Sequence, residues 1–290
     1  MLEGKTIRII IPTYNGGSHF AQLTKSLVAQ AGVMPEDVLI IDSGSTDATL
    51  QQAENAGFRI HHIDKHDFGH GKTRHWAVEN EQADYIIFMT QDAILADTDA
   101  IMKLCQPLKD NSRIGLSYGR QLPYTTVKDL EDCGRLFNYP AKSCMKSKDD
   151  ISRFGIKTIF CSDSFAVYNR QNLLSVGNFL DVEFGEDTLA ADAFIENGYY
   201  IYYNAEARVH HSHSFSLYEE FSRGVRIGML HREHAEVFSK YKGVNSEGIK
   251  FVKFVVQTLY SNGRKMAIPL VAVHILLKFI GYHAGKRGWI

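Results

Sequence analysis

Between residues 6 and 108 the chain repeats one pattern. A short run of branched aliphatic and aromatic residues is followed by a polar break, and then by a stretch with helical spacing of apolar positions. The runs are Thr6-Ile-Arg-Ile-Ile-Ile-Pro12, Val38-Leu-Ile-Ile-Asp42, Phe58 to Ile63 and Tyr85-Ile-Ile-Phe-Met89. Runs this short and continuously apolar are what strands buried on both faces require. The spacing predicts helices over Phe20 to Ala31, Ala48 to Ala56, from the His66–Arg74 segment to about Asn80, and Asp99 to Leu108. Thr46 or Ser45 is the expected N-cap of the second. A β-α-β-α-β-α-β order with short connections leaves one economical solution: an α/β fold with a doubly wound, mostly parallel sheet flanked by helices. Pro12 is expected to end the first strand.

Later elements are less regular. An extended stretch runs from Ile114 to Leu122, and Pro123 to Arg153 is polar and mixed, read as helix plus loop. Ile159 to Tyr168 reads as a strand, Arg170 to Val176 as a short helix, and Gly177 to Gly185 as a loop. Asp187 to Asn197 reads as a helix stopped by Gly198, and Tyr199 to Val209 as a last strand. Helical spacing then covers Leu217 to Tyr241, Gly248 to about Asn262, and Ile268 to the end. The expected organisation is a larger domain over 1–215, in two halves over about 1–122 and about 123–215. A helical extension over 216–290 follows. A chain of 290 residues accommodates this.

Three polar clusters fall just beyond carboxyl ends of predicted parallel strands: Thr13-Tyr14-Asn15, Asp42-Ser43-Gly44-Ser45-Thr46-Asp47, and Gln91-Asp92. Ligands of open α/β sheets bind at that edge, so three clusters there point to a nucleotide site. Asp42 can accept from a pyrimidine N–H or a ribose hydroxyl, and Gly44 lets a ligand approach the backbone. Asp92 is either a metal or phosphate-site residue or simply opens the next loop. The segment Gly69-His-Gly-Lys-Thr-Arg74 looks like a phosphate loop, but His66 stands where that motif needs glycine, and it follows the third strand. As a helix N-terminus it can still offer N–H groups and Arg74 to a diphosphate. Glu186-Asp187 opens a helix, where acids favour the dipole; the functional reading is a general base acting on an acceptor hydroxyl. His211 and His213 follow a strand, lie on one side by alternation, and with Asp92 would make a mixed N/O metal site.

Taken together, Ile-Ile-Pro-Thr-Tyr-Asn-Gly16, Ile-Asp-Ser-Gly-Ser-Thr-Asp47, Gln91-Asp92-Ala93, Gly-Glu-Asp187 and the histidines after the last strand occur in the order of a known family. The chain resembles the family 2 inverting nucleotide-sugar glycosyltransferases of the GT-A fold over about Ile7 to His213. The Phe68–Arg74 segment and helical tail look most like the bacterial rhamnosyltransferase branch. The resemblance implies that Thr13, Tyr14, Asn15 and Asp42 bind the base and ribose, that Pro12, Ser43, Gly44 and Gln91 belong to the same nucleotide-sugar site, and that Gly71 and Arg74 lie near the diphosphate. It implies Asp187 as base, with Glu186 shaping the acceptor site. Asp92 stands at the metal position of an Asp-x-Asp motif that has lost one carboxylate, leaving His213 or His211 to complete a Mg²⁺ or Mn²⁺ site. The expected donor is dTDP-L-rhamnose, with a UDP-sugar as alternative. The expected acceptor is a glycan or polyprenyl-diphosphate-linked saccharide of cell-surface polysaccharide synthesis such as O-antigen. A silent nucleotide-sugar-binding scaffold is the non-enzymatic alternative, and the acid pair argues against it.

Net charge of -1 gives no global basic field for nucleic acid. Cys105, Cys133, Cys144 and Cys161 show no paired spacing and read as reduced thiols of a cytoplasmic protein. A strand begins within a few residues of Met1, which leaves no room there for a signal peptide. Met266 to Leu277 carries no charged residue if His274 is neutral, too short a run to span a bilayer. With Lys278, Lys286, Arg287 and Trp289 beyond it, the tail suits either packing, including a homodimer, or peripheral attachment to the inner leaflet.

Overall fold

The computed structural model describes residues 4–124, 129–241 and 244–290. Among the described residues nine strands form one sheet: β1 (Ile7–Thr13), β2 (Val38–Asp42), β3 (Arg59–His62), β4 (Tyr85–Met89), β5 (Ile94–Leu95), β6 (Ile114–Leu122), β7 (Cys144–Lys146), β8 (Phe165–Asn169) and β9 (Tyr200–His210). The order is β3-β2-β1-β4-β8-β6-β9-β5, with β7 on β9. β3, β2, β1 and β4 are parallel, as expected. Beyond β4 the sheet becomes mixed. β8 runs antiparallel to β4 and β6, while β5 and β7 run antiparallel to β9. The parallel block ends where the short, helix-connected crossovers end, since a parallel neighbour needs such a crossover.

The first strand does not stop at Pro12, which pairs with Ile41 while Thr13 pairs with Asp42. Pairing with β4 ends at Ile10↔Phe88, so Pro12 sits where β1 has a strand on one side only and a missing N–H is tolerated. The stretch taken as a strand from Ile159 becomes one only at Phe165; its polar first half, Cys161 to Ser164, is loop.

The helices are α1 (Gly17–Val28), α2 (Thr49–Asn55), α3 (His70–Asn80), α4 (Ala100–Asp110), α5 (Leu130–Asn138), α6 (Ile151–Phe154), α7 (Arg170–Ser175), α8 (Glu186–Glu196), α9 (Leu217–Glu233), α10 (Ala235–Ser239), α11 (Val244–Ser261) and α12 (Ile268–Arg287). One sheet face carries Ile9, Ile11, Ile40, Ile87 and Met89 against Phe20, Leu23 and Leu27 of α1 and Ile101, Leu104 and Leu108 of α4. On the other face Phe88, Tyr168 and Phe179 meet edge to face, with centroids 5.2–5.9 Å apart. This packing on both sides is why the strand runs read as continuously apolar. Truncating such a side chain costs about 2–5 kcal/mol.

The chain divides into two compact units: Met1–Gln121, Ala141–Lys148 and Ile159–His211 form the first; Leu122–Pro140, Asp149–Thr158 and Ser212–Ile290 the second. The division therefore differs from the sequence boundary at 215. Residues 122–140 go with the C-terminal helices because Leu130 and Cys133 of α5 share a core with Val255, Leu259 and Val271. Part of the mixed Pro123–Arg153 segment, 125–128, lies outside the described residues. The expected helix over Leu217–Tyr241 is broken at His234.

Candidate active site

Strand register gathers the polar residues of the first unit. β8 begins opposite the end of β4, Met89↔Phe165, and β6 pairs with β8 through Tyr118↔Ala166. The last residues of β9 pair with β5 directly after Asp92, Ile94↔His210. The carboxyl ends of β1, β2, β4, β6 and β9 and the entry to β8 therefore lie along one edge.

At the β1–β2 end, Asp42 is fully buried and both its oxygens are engaged. Oδ1 accepts from the Gly44 and Ser45 N–H groups at 2.9 and 2.8 Å, and Oδ2 from the Thr13 hydroxyl at 2.9 Å and the Ser45 hydroxyl. Burial alone would raise its proton affinity; the Ser45, Thr13 and Gly44 bonds outweigh it and hold the carboxyl below its usual range. Asp42 thus organises the loop, and contacts a ligand only if one hydroxyl turns away. Ser43 is spent inside, its hydroxyl donating to Thr13 O at 3.1 Å. Asn15 has φ +47, tolerable for asparagine, and its Oδ1 accepts from the Thr46 N–H at 2.8 Å. Ala48, rather than Thr46 or Ser45, is the N-cap of α2; Asp47 before it accepts from the Thr49 N–H at 3.0 Å through Oδ1, while the Ser45 hydroxyl serves Asp42 and the Asn15 N–H. Gln91 braces the same loop, accepting from the Tyr14 N–H at 2.9 Å and donating to Tyr14 O at 3.1 Å. Tyr14, Asn15 and Gly44 are exposed and remain to meet a ligand, whereas Pro12 lies within the strand. The sequence reading missed Lys65, whose Nζ lies 4.4 Å from the Tyr14 ring centroid and donates to its hydroxyl at 3.0 Å. A lone lysine in a loop carries no signal of this.

After β4, Asp92 Oδ1 lies 3.4 Å from Nε2 of buried His211. His211 Nδ1 is 2.9 Å from Oε1 of Gln121, whose amide donates to the Ser162 hydroxyl at 3.0 Å. That donation fixes the carboxamide with its oxygen toward the imidazole, which places the ring proton on Nδ1 and the lone pair on Nε2. Two donors about 2.0–2.2 Å from one divalent ion at 90–110° are about 3.0–3.5 Å apart, so the pair fits such an ion. Gln121, which sets the tautomer, was not legible as a site residue because it ends an ordinary strand. His213 lies two residues on, in the second unit, its ring centroid 5.2 Å from that of Phe215.

At the third position Gly185 takes the left-handed conformation, φ +83, which turns the chain into α8. Buried Glu186 and half-buried Asp187 open that helix. Arg74 Nη1 donates to Glu186 Oε1 at 2.6 Å, and its Nε lies 2.9 Å from Asp163 Oδ2. The Tyr168 hydroxyl donates to Asp163 Oδ1 at 2.6 Å. Asp187 Oδ1 accepts from the Thr188 N–H at 2.6 Å and hydroxyl at 3.2 Å. Three carboxyls share one guanidinium. Burial, with the Glu186 charge behind it, pushes Asp187 up to about 6 against Arg74 and the Thr188 bonds. Burial likewise pushes Asp163 up to about 8 in spite of Arg74.

Two expectations are corrected here. Arg74 is buried and held by Glu186 and Asp163, so it orders the acids rather than presenting its guanidinium to a diphosphate. Gly71 is a packing glycine: a Cβ would overlap Leu180 O and sit 2.9 Å from Val182 N, and its own N–H donates to Val182 O at 3.3 Å. Asp163 was missed, although Cys-Ser-Asp-Ser interrupting an apolar run was the available signal.

A mixed α/β sheet thus carries loops, an Asp–His pair and an acid pair along one edge. The Glycosyl transferase family 2 model matches residues 8–176. The chain is 41% identical over 284 residues to the O-antigen chain rhamnosyltransferase RfbN of Salmonella typhimurium, covering 97% of this chain and 90% of that one. It is 36% identical to the O-antigen chain rhamnosyltransferase WbaN of Salmonella anatum, covering 96% and 89%. The chain belongs to glycosyltransferase family 2. The fold is similar to that of a Pyrobaculum calidifontis mannosyltransferase in complex with GDP-Man and Mn²⁺, with TM-score 0.65, 12% identity and 98% and 87% of the two chains covered. It is also similar to Mycobacterium tuberculosis glucosyl-3-phosphoglycerate synthase in complex with Mg²⁺ and UDP, with TM-score 0.58, 16% identity and coverage of 82% and 80%.

Proposed function

We propose that this chain is an inverting rhamnosyltransferase of O-antigen synthesis. It would move L-rhamnose from dTDP-L-rhamnose to a hydroxyl of a glycan or lipid-linked saccharide on the cytoplasmic side of the membrane. The observation that carries the reading is end-to-end likeness to two O-antigen rhamnosyltransferases, in a chain that keeps an ordered acid pair at the sheet edge.

Asp187 is the base. Oδ1 is held by Thr188, which leaves Oδ2 to take the acceptor proton. The acceptor oxygen attacks the anomeric carbon as the bond to the diphosphate oxygen breaks; the diphosphate leaves with the electron pair and the proton goes to Asp187. A single displacement inverts the anomeric centre. Arg74 keeps Glu186 in place beside Asp187, and burial with the Glu186 charge keeps the base stronger than an ordinary carboxylate against the direct pull of Arg74. Tyr14 and Gly44 would meet the base and ribose, with Lys65 beside the Tyr14 ring adding positive charge at that end. Asp92 and His211 would hold a divalent ion, Mg²⁺ or Mn²⁺. Such an ion, when bound, supplies charge stabilisation to a departing diphosphate.

The test is calorimetric binding of dTDP, UDP and GDP with and without Mn²⁺, alongside transfer assays of the matching sugar donors. Preference for dTDP that strengthens with Mn²⁺ supports the reading. Preference for UDP keeps the transferase and discards rhamnose, and binding of none overturns it.

A further inference from the structure

The C-terminal helices carry a surface that glycosyl transfer does not account for. Along α11, Ile249, Val252, Val256 and Tyr260 are exposed at spacings of three and four, a single apolar stripe. On α12, Leu270, Val273, Leu276, Phe279 and Ile280 are exposed, Leu270 and Phe279 each at 58%. The stretch 265–287 has mean hydropathy 1.6 over its most apolar window and is 11% buried there, long and apolar enough by composition to cross a membrane. The charge-free run noted in the sequence is therefore part of a longer apolar element.

Charge selects the occupant. Residues 244–290 hold seven lysines and arginines (Lys250, Lys253, Arg264, Lys265, Lys278, Lys286 and Arg287) against one acid, Glu247, a net of +6. Since the whole chain is -1, the remainder carries -7. A second copy joined through this same face would set cations against cations, whereas an anionic bilayer complements them. Exposed Trp289 beside Arg287, with the cation 4.9 Å from the ring centroid, is a side chain suited to the headgroup layer.

Contacts within the unit argue against spanning. Lys278, in the middle of α12, lies 3.3 Å from the carboxylate of buried Glu220 on α9, and Glu131 is 3.8 Å away. Gly281 and Gly285 of α12 meet Gly224 and Gly228 of α9 so closely that a Cβ on any of them would overlap the facing backbone. Insertion of α12 would drag in α9 with its Glu219, Glu220, Arg223 and Arg226. We propose that the exposed face of α11 and α12 docks in the plane of an anionic lipid bilayer, with apolar side chains at acyl depth and lysines and arginines among the headgroups.

Flotation of the full chain with phosphatidylcholine vesicles, with and without phosphatidylglycerol, tests this. Co-flotation is expected only with the anionic vesicles, weakening as salt rises. Lys253→Gln, Arg264→Gln and Lys265→Gln combined should weaken partitioning about a hundredfold, at about fivefold per cation. The exposed double variant Leu270→Glu and Leu276→Glu should abolish it while circular dichroism and melting stay those of the wild type. Absence of flotation with folded protein, or flotation indifferent to both variants, overturns the proposal. So does a dimer in ultracentrifugation that the glutamate variant dissociates, since the face would then be a subunit interface.

Discussion

Replacing Glu186 by Gln should move the acid limb of the pH–rate profile without removing it. Asp187 is raised from 3.8 to about 6, first by burial and then by the Glu186 charge, against Arg74 and the Thr188 bonds. That rise of about 2 units corresponds to about 3 kcal/mol of added proton affinity. A base must be ionised to act, so kcat/KM should rise tenfold per pH unit below about 6 and level off above it. Glu186→Gln keeps the side-chain shape but deletes the adjacent charge and frees Arg74 to act more strongly on Asp187. Both changes favour the carboxylate, so the limb should fall by about one unit at an effective dielectric constant of about 20. Initial rates of labelled sugar transfer at acceptor concentrations well below KM, across a range spanning pH 6, would show it. An acid limb that stays in place in Glu186→Gln, or that survives in Asp187→Asn, would refute the assignment of the base.

Other consequences follow from the same contacts. Gln121→Leu removes the group that sets the His211 tautomer and should weaken Mn²⁺ binding about 10–100-fold by calorimetry; unchanged affinity would place the ion elsewhere. Gly71→Ala forces a methyl group onto Leu180 O and should destabilise the fold by about 1–3 kcal/mol in urea melts, whereas a phosphate-contacting glycine would lose donor affinity with stability intact. Asp163 titrates near 8 in the folded protein against 3.8 unfolded, so the folded form keeps the extra proton between those values and stability falls as pH rises through them. Asp163→Asn should therefore compare better with wild type at pH 8 than at low pH, and a stability difference independent of pH would contradict this.

The fold was legible where one physical rule decided the local sequence. Val38–Asp42 and Tyr85–Met89 are strands with the bounds their apolar runs suggested, because burial on both faces leaves little else for such runs to do. The antiparallel half was not legible, since partner and direction are set by contacts distant in sequence. The site divides the same way. Asp92, His211, Glu186 and Asp187 announced themselves by residue type at strand ends and a helix start. Asp163, Gln121 and Lys65 acquire meaning only beside Arg74, His211 and Tyr14, separated from them by 89, 90 and 51 residues. Arg74 and Gly71 were recognised as unusual and assigned to a phosphate, yet three-dimensional neighbours claim both: two carboxylates for one, the 180–182 backbone for the other.

The central claim is a single displacement in which Asp187 takes the acceptor proton. Its most direct test is the anomeric configuration of the product, read by NMR from wild type and Asp187→Asn under the same conditions. The account predicts a rhamnoside of configuration opposite to the donor from the wild type, and a rate about 10²–10⁴-fold lower from the variant. A product that retains the donor configuration, or a variant that turns over at the wild-type rate, would contradict it.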